Sequence, residues 1–290
     1  MSIRKLLFVM AITIIVSGTT LQAGWKAKQI GEVSGLSVPE SVLYDEARDL
    51  VFISNIEAKK GEFWFDDGKG FISLLTPDFK MKSLRLVNSE PGKIINSPKG
   101  MAAVNNHIYF TDNRRLMRAS INNPAMVEQV VNTTFAGIND MVAYDGLIWV
   151  SDGAAGVVFG IDPLKGIEVV VKAPKGVNGI TFYRGTLFAV SWGLHDVFEL
   201  DSTGVKPPKP FNLASHFTNL DGIEVMDDGT FIVSDFKGHK VCTITPDRKT
   251  VETIIEQNSA ADIGYNRAKN ILFVPSFLNN RAVAYQLYKD

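Results

Sequence analysis

Residues 219–245 read NLDGIEVMDDGTFIVSDFKGHKVCTIT, and this stretch contains the unit from which the chain is built. A polar opening, LDGI at 220–223, leads into a short apolar segment. A turn with Asp and Gly separates it from a second apolar segment at 231–235, and a third follows at 240–245. Short apolar segments bounded by Gly and Asp turns are typical of antiparallel β-strands, so the unit is predicted to be a small sheet.

This pattern is an internal repeat that occurs six times. The second residue of each polar opening is called the anchor of its repeat. The openings are PESV at 39–42, PKGM at 98–101, INDM at 138–141, VNGI at 177–180, LDGI at 220–223 and AADI at 260–263. Successive anchors are 59, 40, 39, 43 and 40 residues apart. A period near 40 residues built from short strands is the signature of a β-propeller with four-stranded blades.

The last repeat indicates how the ring closes. Five repeats have a fourth apolar segment, whereas the sixth ends without one. The segment 26–33, ahead of the first repeat, can supply it and so hide sheet edges that an open array would leave bare. The fold prediction is therefore an all-β, six-bladed β-propeller over residues 24–290, with an N-terminal strand that closes the last blade.

The first repeat is longer than the others because of an insertion at 58–70, which is rich in charged, glycine and aromatic residues. Such a segment is predicted to be a protruding loop. Two interpretations stay open: a lid over one mouth of the propeller channel, or an insertion that packs on its own blade.

The N-terminus has the plan of a secretory signal peptide. Arg4 and Lys5 precede an apolar stretch at 6–16, and small and polar residues lead to Ala23. The apolar stretch is too short to span a bilayer comfortably. Residues 1–23 are therefore predicted to be cleaved, which leaves a periplasmic or secreted protein with no membrane association.

Charge and cysteine content exclude several classes of function. The net charge is −1, and no basic cluster longer than a pair occurs, so nucleic-acid binding is not expected. A single cysteine, Cys242, excludes an intramolecular disulfide and a cysteine-based zinc site. The expected partner is a small-molecule substrate.

The anchors define a candidate metal site. The first strand of each propeller blade lines the central channel, so residues at equivalent repeat positions meet in a ring. The six anchors are Glu40, Lys99, Asn139, Asn178, Asp221 and Ala261. Four of them offer carboxylate or amide oxygens, which suit Ca²⁺ better than Mg²⁺, and the absence of His and Cys disfavours zinc or copper. The alternative is a set of polar turn residues around a water-filled channel.

Three of these openings also carry a family resemblance. PESV at 39–42, GVNGI at 176–180 and NLDGI at 219–223 resemble motifs of the gluconolactonase/regucalcin (senescence marker protein) lactonase superfamily. The resemblance covers essentially the whole mature chain, and ADIGY at 261–265 with NNRAVAY at 279–285 is similar to an exported bacterial branch. It implies a propeller lactonase whose metal is held by Glu40, Asn178 and Asp221. Asn139 matches a fourth position, which is a metal ligand in some members and a substrate contact in others.

The predicted function is hydrolysis of a lactone or related ester by a divalent metal, Ca²⁺ above all. Asp221 is the candidate catalytic residue, as general base or nucleophile, and a role as plain ligand stays open. Lys99 is a candidate substrate-binding residue that would orient an anionic substrate. The resemblance departs at one position: lactonases of the regucalcin type have an arginine two residues before the residue that matches Asn139, where this chain has Gly137, so the resemblance does not extend to sugar-lactone specificity. The alternative function is a non-catalytic propeller that binds a ligand or partner around a structural metal.

Further candidates flank the anchor ring. Asp140 and Asp262 each follow an anchor, and their side chains are candidates to face neighbouring blades. Trp192 and His195 follow a predicted second strand and could lie near the mouth.

Overall fold

The repeats form six four-stranded antiparallel sheets in the computed structural model, which describes residues 24–289. The predicted all-β, six-bladed propeller is confirmed. Between these bounds the only helices are two short 3₁₀ turns, Ala214–His216 and Phe277–Asn279, and neither is long enough to cross a membrane. The signal peptide predicted at residues 1–23 lies outside the described residues and stays a prediction.

Strands are numbered along the chain, beginning with β1 at Trp25–Ser34, and each of the first five blades uses four consecutive strands. The strands of the first three blades are β2 (Pro39–Asp45), β3 (Leu50–Asn55), β4 (Phe71–Leu75), β5 (Met81–Asn88), β6 (Pro98–Val104), β7 (His107–Asp112), β8 (Arg115–Ser120), β9 (Val127–Gln129), β10 (Ile138–Tyr144), β11 (Leu147–Asp152), β12 (Val157–Asp162) and β13 (Gly166–Lys172). The strands of the last three blades are β14 (Val177–Tyr183), β15 (Thr186–Ser191), β16 (Val197–Leu200), β17 (Lys209–Pro210), β18 (Leu220–Val225), β19 (Phe231–Asp235), β20 (Lys240–Ile244), β21 (Val251–Glu256), β22 (Gly264–Asn266), β23 (Ile271–Ser276) and β24 (Arg281–Lys289).

The sixth blade is completed by the N-terminal strand, as predicted. β1 pairs antiparallel with β24, with Trp25 opposite Lys289 and Ser34 opposite Arg281. Val33 of β1 also joins an apolar cluster with Val42 and Phe273, which connects the sixth blade to the first. β1 therefore contributes both a hydrogen-bonded edge and part of the core between the two blades.

The anchors lie at irregularities in the innermost strands. In the first blade, Pro39 pairs with Asn55 and Val42 with Ile53, so two residues, Glu40 and Ser41, face only Ser54. The same register shift occurs at the start of β6, β10, β14 and β18. A bulge of this type re-aims side chains that would otherwise stay in the ladder, and it is common beside functional sites. The repeat therefore positions the anchors by backbone geometry.

The second strands carry polar residues at their last positions, and these side chains satisfy the backbone of the bulge and of the loop before it. Ser54 Oγ accepts a hydrogen bond from the Ser41 amide at 3.0 Å, and Ser234 Oγ accepts one from the Gly222 amide at 2.8 Å. The carboxylate of Asp235 accepts from the amides of Thr218 and Asn219 at 2.9 and 2.8 Å. Buried amides need such partners, which explains the repeat's recurring polar ends.

Glycine follows three of the anchors because neighbouring inner strands approach closely near the axis. A Cβ on Gly179 would collide with the carbonyl oxygen of Asp221 and lie 2.8 Å from the Cα of Gly222.

We expect Gly179→Ala to lower the free energy of unfolding by about 1–3 kcal/mol, because overpacking has a cost of this size in other proteins. Urea denaturation measures this change. Gly193→Ala is the control, because its Cβ would meet only the Lys175 carbonyl oxygen, at 3.8 Å. Equal losses in the two variants would contradict the close approach.

Candidate metal centre

Three of the four predicted ligands, Glu40, Asn178 and Asp221, lie close to one another in the structure. These three are buried, and Asn139 is partly buried. Asn178 Nδ2 donates a hydrogen bond to Asp221 Oδ1 at 2.8 Å. The pKa of Glu40 is raised well above its ordinary value, first by burial and then by the charge of Asp221. Residues from the first, fourth and fifth blades thus act on one another electrostatically.

Unpartnered oxygens mark these ligands. Glu40 Oε2, Asn139 Oδ1 and Asn178 Oδ1 are buried without a hydrogen-bond partner. A buried acceptor without a donor costs about 1–3 kcal/mol, and oxygen acceptors are the ligands that a hard cation prefers. Within residues 24–289 no three His, Cys, Asp or Glu side chains are placed to hold an ion, so such a site needs the amide oxygens. The donor set fits a Ca²⁺-type cation, and metal binding stays a prediction.

A second layer of acids lies directly after the anchors. One oxygen of the Asp140 carboxylate accepts a hydrogen bond from the Ile180 amide of the next blade at 2.7 Å. Asp262 Oδ2 accepts one from Ser41 Oγ at 2.5 Å, across the junction of the sixth and first blades. These two side chains therefore face neighbouring blades. Burial raises the pKa of Asp221, and the charge of Asp262 raises it further.

The channel widens beyond this second layer into a cavity of about 520 Å³. Its lining includes Asp140, Asp262 and Glu224, with Tyr44 and Tyr265 on its walls. None of the four predicted oxygen ligands lines it. The acids of the second layer thus separate the candidate metal site from this cavity.

Glu224, on the wall of the cavity, makes the stability of the fold depend on pH. Burial is the largest cause that raises its pKa to about 7, against the opposing charge of Arg267 and with a smaller contribution from Asp262. Its side chain is 24% exposed. A carboxyl whose pKa is higher in the folded chain stabilises the fold while it is protonated. The contribution of Glu224 is therefore fully present below its unfolded pKa of about 4.5 and is lost as the pH rises through about 7.

We expect Glu224→Gln to reduce the loss of unfolding free energy between about pH 4.5 and pH 8 by up to about 3 kcal/mol. Urea denaturation at the two pH values measures this difference. The control is Glu46→Gln, an exposed carboxylate on the rim of the same cavity. A pH dependence in Glu224→Gln equal to that of the unmodified protein would show that Glu224 is not the titrating group.

Lys99 lies in the anchor ring, and its ammonium group forms hydrogen bonds with other residues of the protein. Lys99 Nζ donates to the carbonyl oxygens of Ser97 and Phe63 at 3.0 and 3.1 Å and to Asn113 Oδ1 at 3.3 Å. It also lies 4.2 Å from the ring centroid of Trp64, within cation–π distance. Burial lowers the pKa of Lys99 to about 8, although Glu40 acts against this shift. Its predicted role in substrate binding stays a prediction and requires one of these contacts to be exchanged.

The inserted segment 58–70 lies over Lys99 and the second blade. Asn113 Nδ2 donates to the carbonyl oxygen of Trp64 at 3.2 Å and to Asp66 Oδ1 at 2.8 Å. Ser97 Oγ donates to the carbonyl oxygen of Phe65 at 3.2 Å. The segment leaves the first blade and is fastened to the second, as a cover over part of the anchor ring would be.

An arc of aromatic side chains continues from this segment around the mouth. Trp192 contacts Phe236 at a centroid distance of 5.3 Å, Phe236 contacts Phe277 at 5.4 Å, and Phe277 contacts Phe63 at 4.8 Å. We call these four residues, together with Trp64, the aromatic arc. Phe63, Phe236 and Phe277 share an apolar cluster with the anchor Ala261. The arc therefore rests directly on the anchor ring.

Comparison with known proteins places the fold. No protein-family model and no curated protein sequence matches this chain. Among solved structures, a luciferin-regenerating enzyme is 14% identical, with a TM-score of 0.65, over 91% of this chain and 95% of that chain. A proposed gluconolactonase is 17% identical, with a TM-score of 0.65, over 92% and 94%. A streptogramin B lyase is 13% identical, with a TM-score of 0.62, over 91% and 98%.

These neighbours are six-bladed propellers with gluconolactonase-like folds. The resemblance predicted from the polar openings is thus confirmed as a likeness of fold. At such low identities the likeness does not extend to activity, metal or substrate.

Proposed function

We propose that this protein is a metal-dependent hydrolase of a lactone or related ester, with its site at the anchor ring. Glu40, Asn139, Asn178 and Asp221 would hold a divalent cation of the Ca²⁺ type. The observation that carries the proposal is the set of three buried, unpartnered oxygens beside the acid Asp221. Such a cation, when bound, supplies Lewis-acid polarisation of an ester carbonyl.

The side chains around the ring have separate parts in this proposal. The Asp221 carboxylate accepts the proton of the attacking water, and the hydrogen bond from Asn178 Nδ2 to Asp221 Oδ1 fixes its orientation. Asn139, whose Oδ1 has no protein partner, either completes the cation site or orients the substrate. The segment 58–70 excludes water from the Lys99 side of the ring.

A second function is favoured by one observation, the cover over the ring. Lys99 is 2% exposed, and its ammonium group already has three protein acceptors. A ring that is covered at Lys99 also suits a non-catalytic propeller in which the metal is structural and a ligand or partner binds elsewhere. Fold alone does not decide between these functions.

A hydrolysis panel separates the two functions. Residues 24–290 would be assayed against aliphatic lactones, a sugar lactone, aryl esters and a phosphotriester, with and without a chelator. We expect hydrolysis that the chelator abolishes and added Ca²⁺ restores. The matched variant is Asn178→Ala, which should need more Ca²⁺ for the same rate. No hydrolysis of any substrate by the Ca²⁺-loaded protein would favour the non-catalytic function.

A further inference from the structure

The mouth of the channel constrains whatever reaches the anchor ring. A substrate whose carbonyl group lies at the ring must leave the rest of its structure against the walls of the mouth. Those walls include the aromatic arc, which touches two anchors: Trp64 covers Lys99, and the phenylalanines pack with Ala261. Trp64 is 48% exposed, and the neighbouring Phe65 is 55% exposed. Large aromatic side chains exposed beside a polar site are typical of ligand contacts.

Polar side chains near the arc have partners within the protein. The Lys99 ammonium group has three acceptors, and Asn113 Nδ2 donates to the inserted segment. Asn219 Nδ2 donates to the carbonyl oxygen of Trp192 at 2.8 Å. Lys237 lies at the outside of the arc, with its ammonium group 5.7 Å from the Trp192 ring. Among these groups of the described residues, only the Lys237 ammonium group has no hydrogen-bond acceptor. A polyhydroxylated ligand would need several free donors and acceptors, and one free donor does not meet that need.

The position of Trp64 completes the apolar wall. A Cβ on Gly137 would lie 3.8 Å from Cζ3 of the Trp64 indole. The Ala154 methyl group would lie closer, at 3.2 Å, so both neighbours of position 137 are apolar. Gly137, two residues before the predicted ligand Asn139, itself offers no side chain that could form a hydrogen bond with a ligand.

We propose that the substrate is a lactone or ester with an apolar alkyl or aryl substituent that packs against the aromatic arc, and not a sugar lactone. This inference rests on the proposed function, because it assigns the substrate class of the same site. Burial of an alkyl chain against such a surface strengthens binding by about fourfold per methylene group. Aromatic side chains give this contact area with few rotatable bonds, so little conformational entropy is lost on binding.

The test is a series of γ-lactones with alkyl substituents of increasing length, compared with glucono-δ-lactone. We expect kcat/KM to rise about fourfold per methylene over the first carbons and the sugar lactone to be the poorest substrate. Trp64→Ala should reduce the ratio of kcat/KM between the longest and the shortest lactone by tenfold or more. Tyr288→Ala, which removes an exposed aromatic residue of β24, should leave that ratio unchanged.

The outcomes separate this inference from the proposed function. A flat chain-length profile, or a preference for the sugar lactone, would overturn the apolar substrate class while hydrolysis itself stands. If neither a lactone nor any ester of the panel is hydrolysed, the proposed function fails. Calorimetric titration with alkyl-substituted γ-lactams then tests the arc alone. Binding that strengthens with chain length and weakens in Trp64→Ala would support an apolar site, and no binding would overturn it.

Discussion

Deletion of residues 24–33 is expected to abolish cooperative folding of the propeller. β1 forms the outer edge of the sixth blade, and deletion of residues 24–33 would bare the backbone of β24 from Ala282 to Lys289. It would also remove Val33 from the cluster between the sixth and first blades, and the partly buried Trp25 and Ala27 from a second cluster. Burial of these side chains and the hydrogen bonds between β1 and β24 together contribute on the order of 5 kcal/mol to the free energy of unfolding. That is comparable to the whole stability of a typical domain.

Thermal unfolding measured by circular dichroism tests this deletion. The comparison protein begins at Gly24, so that the two differ only in residues 24–33. We expect the shorter protein to be aggregated or to melt at least about 10 °C lower, as a loss of about 5 kcal/mol implies for a domain of this size. Cooperative melting at the same temperature in both proteins would show that the ring does not need β1 for closure.

Asp221→Asn is expected to cause the largest loss of activity among the anchor variants. The substitution keeps the shape of the side chain and removes both its negative charge and its capacity to accept a proton. A general base contributes about 10²–10⁴ to the rate, so kcat should fall by at least about a hundredfold at saturating Ca²⁺. The lost charge should also weaken cation binding, which is why the Ca²⁺ concentration must be saturating.

Two comparisons make this result specific to Asp221. Asn139→Ala should lower kcat less, and it should raise KM if Asn139 contacts the substrate. Asp228→Asn, at an exposed acid paired with Lys289, is the control for a change of charge. Full activity of Asp221→Asn on the preferred substrate would place the chemistry elsewhere and leave the anchor ring as a structural metal site.

The fold could be predicted because propeller blades repeat in sequence. The spacing of the anchors gave the number of blades, and the missing fourth strand of the last repeat indicated β1. Local chemistry that breaks the repeat was harder to predict. The sequence places the fourth segment of the fourth repeat at 210–213, whereas β17 is only Lys209–Pro210. Prolines at 207, 208 and 210 have no amide proton for a ladder, and Asp196 accepts the amides of residues 212 and 213 instead.

The sixth repeat also departs from the common strand pattern, but for a different reason than the fourth. In the other five repeats the first strand begins with the opening itself, whereas in the sixth β22 begins only after the opening, at Gly264. Asp262 instead bonds to the first blade, where its amide donates to the Glu40 carbonyl oxygen at 2.9 Å and its carbonyl oxygen accepts from the Val42 amide at 3.3 Å. A contact between the two ends of the ring leaves no signal in the local pattern of apolar residues.

The candidate site was predictable in its ligands but not in its cover. Equivalent positions of a repeat converge on one axis, so four oxygen-bearing anchors could be named from sequence. The hydrogen bonds of the Lys99 ammonium group could not be predicted, because two of its three acceptors are backbone carbonyl oxygens, and one of these belongs to the inserted segment. Phe236 and Phe277 were missed, although each directly follows a second strand and so lies at the same end of the channel as the anchors.

Calorimetric titration of the metal-free protein with Ca²⁺ tests the central proposal most directly. We expect one ion to bind per chain, and Glu40→Gln and Asn178→Ala each to weaken binding by at least about tenfold, since the first removes a negative charge and the second an oxygen ligand. Asp228→Asn should bind like the unmodified protein. Absence of binding, or equal affinity in all four proteins, would contradict a metal centre at the anchor ring.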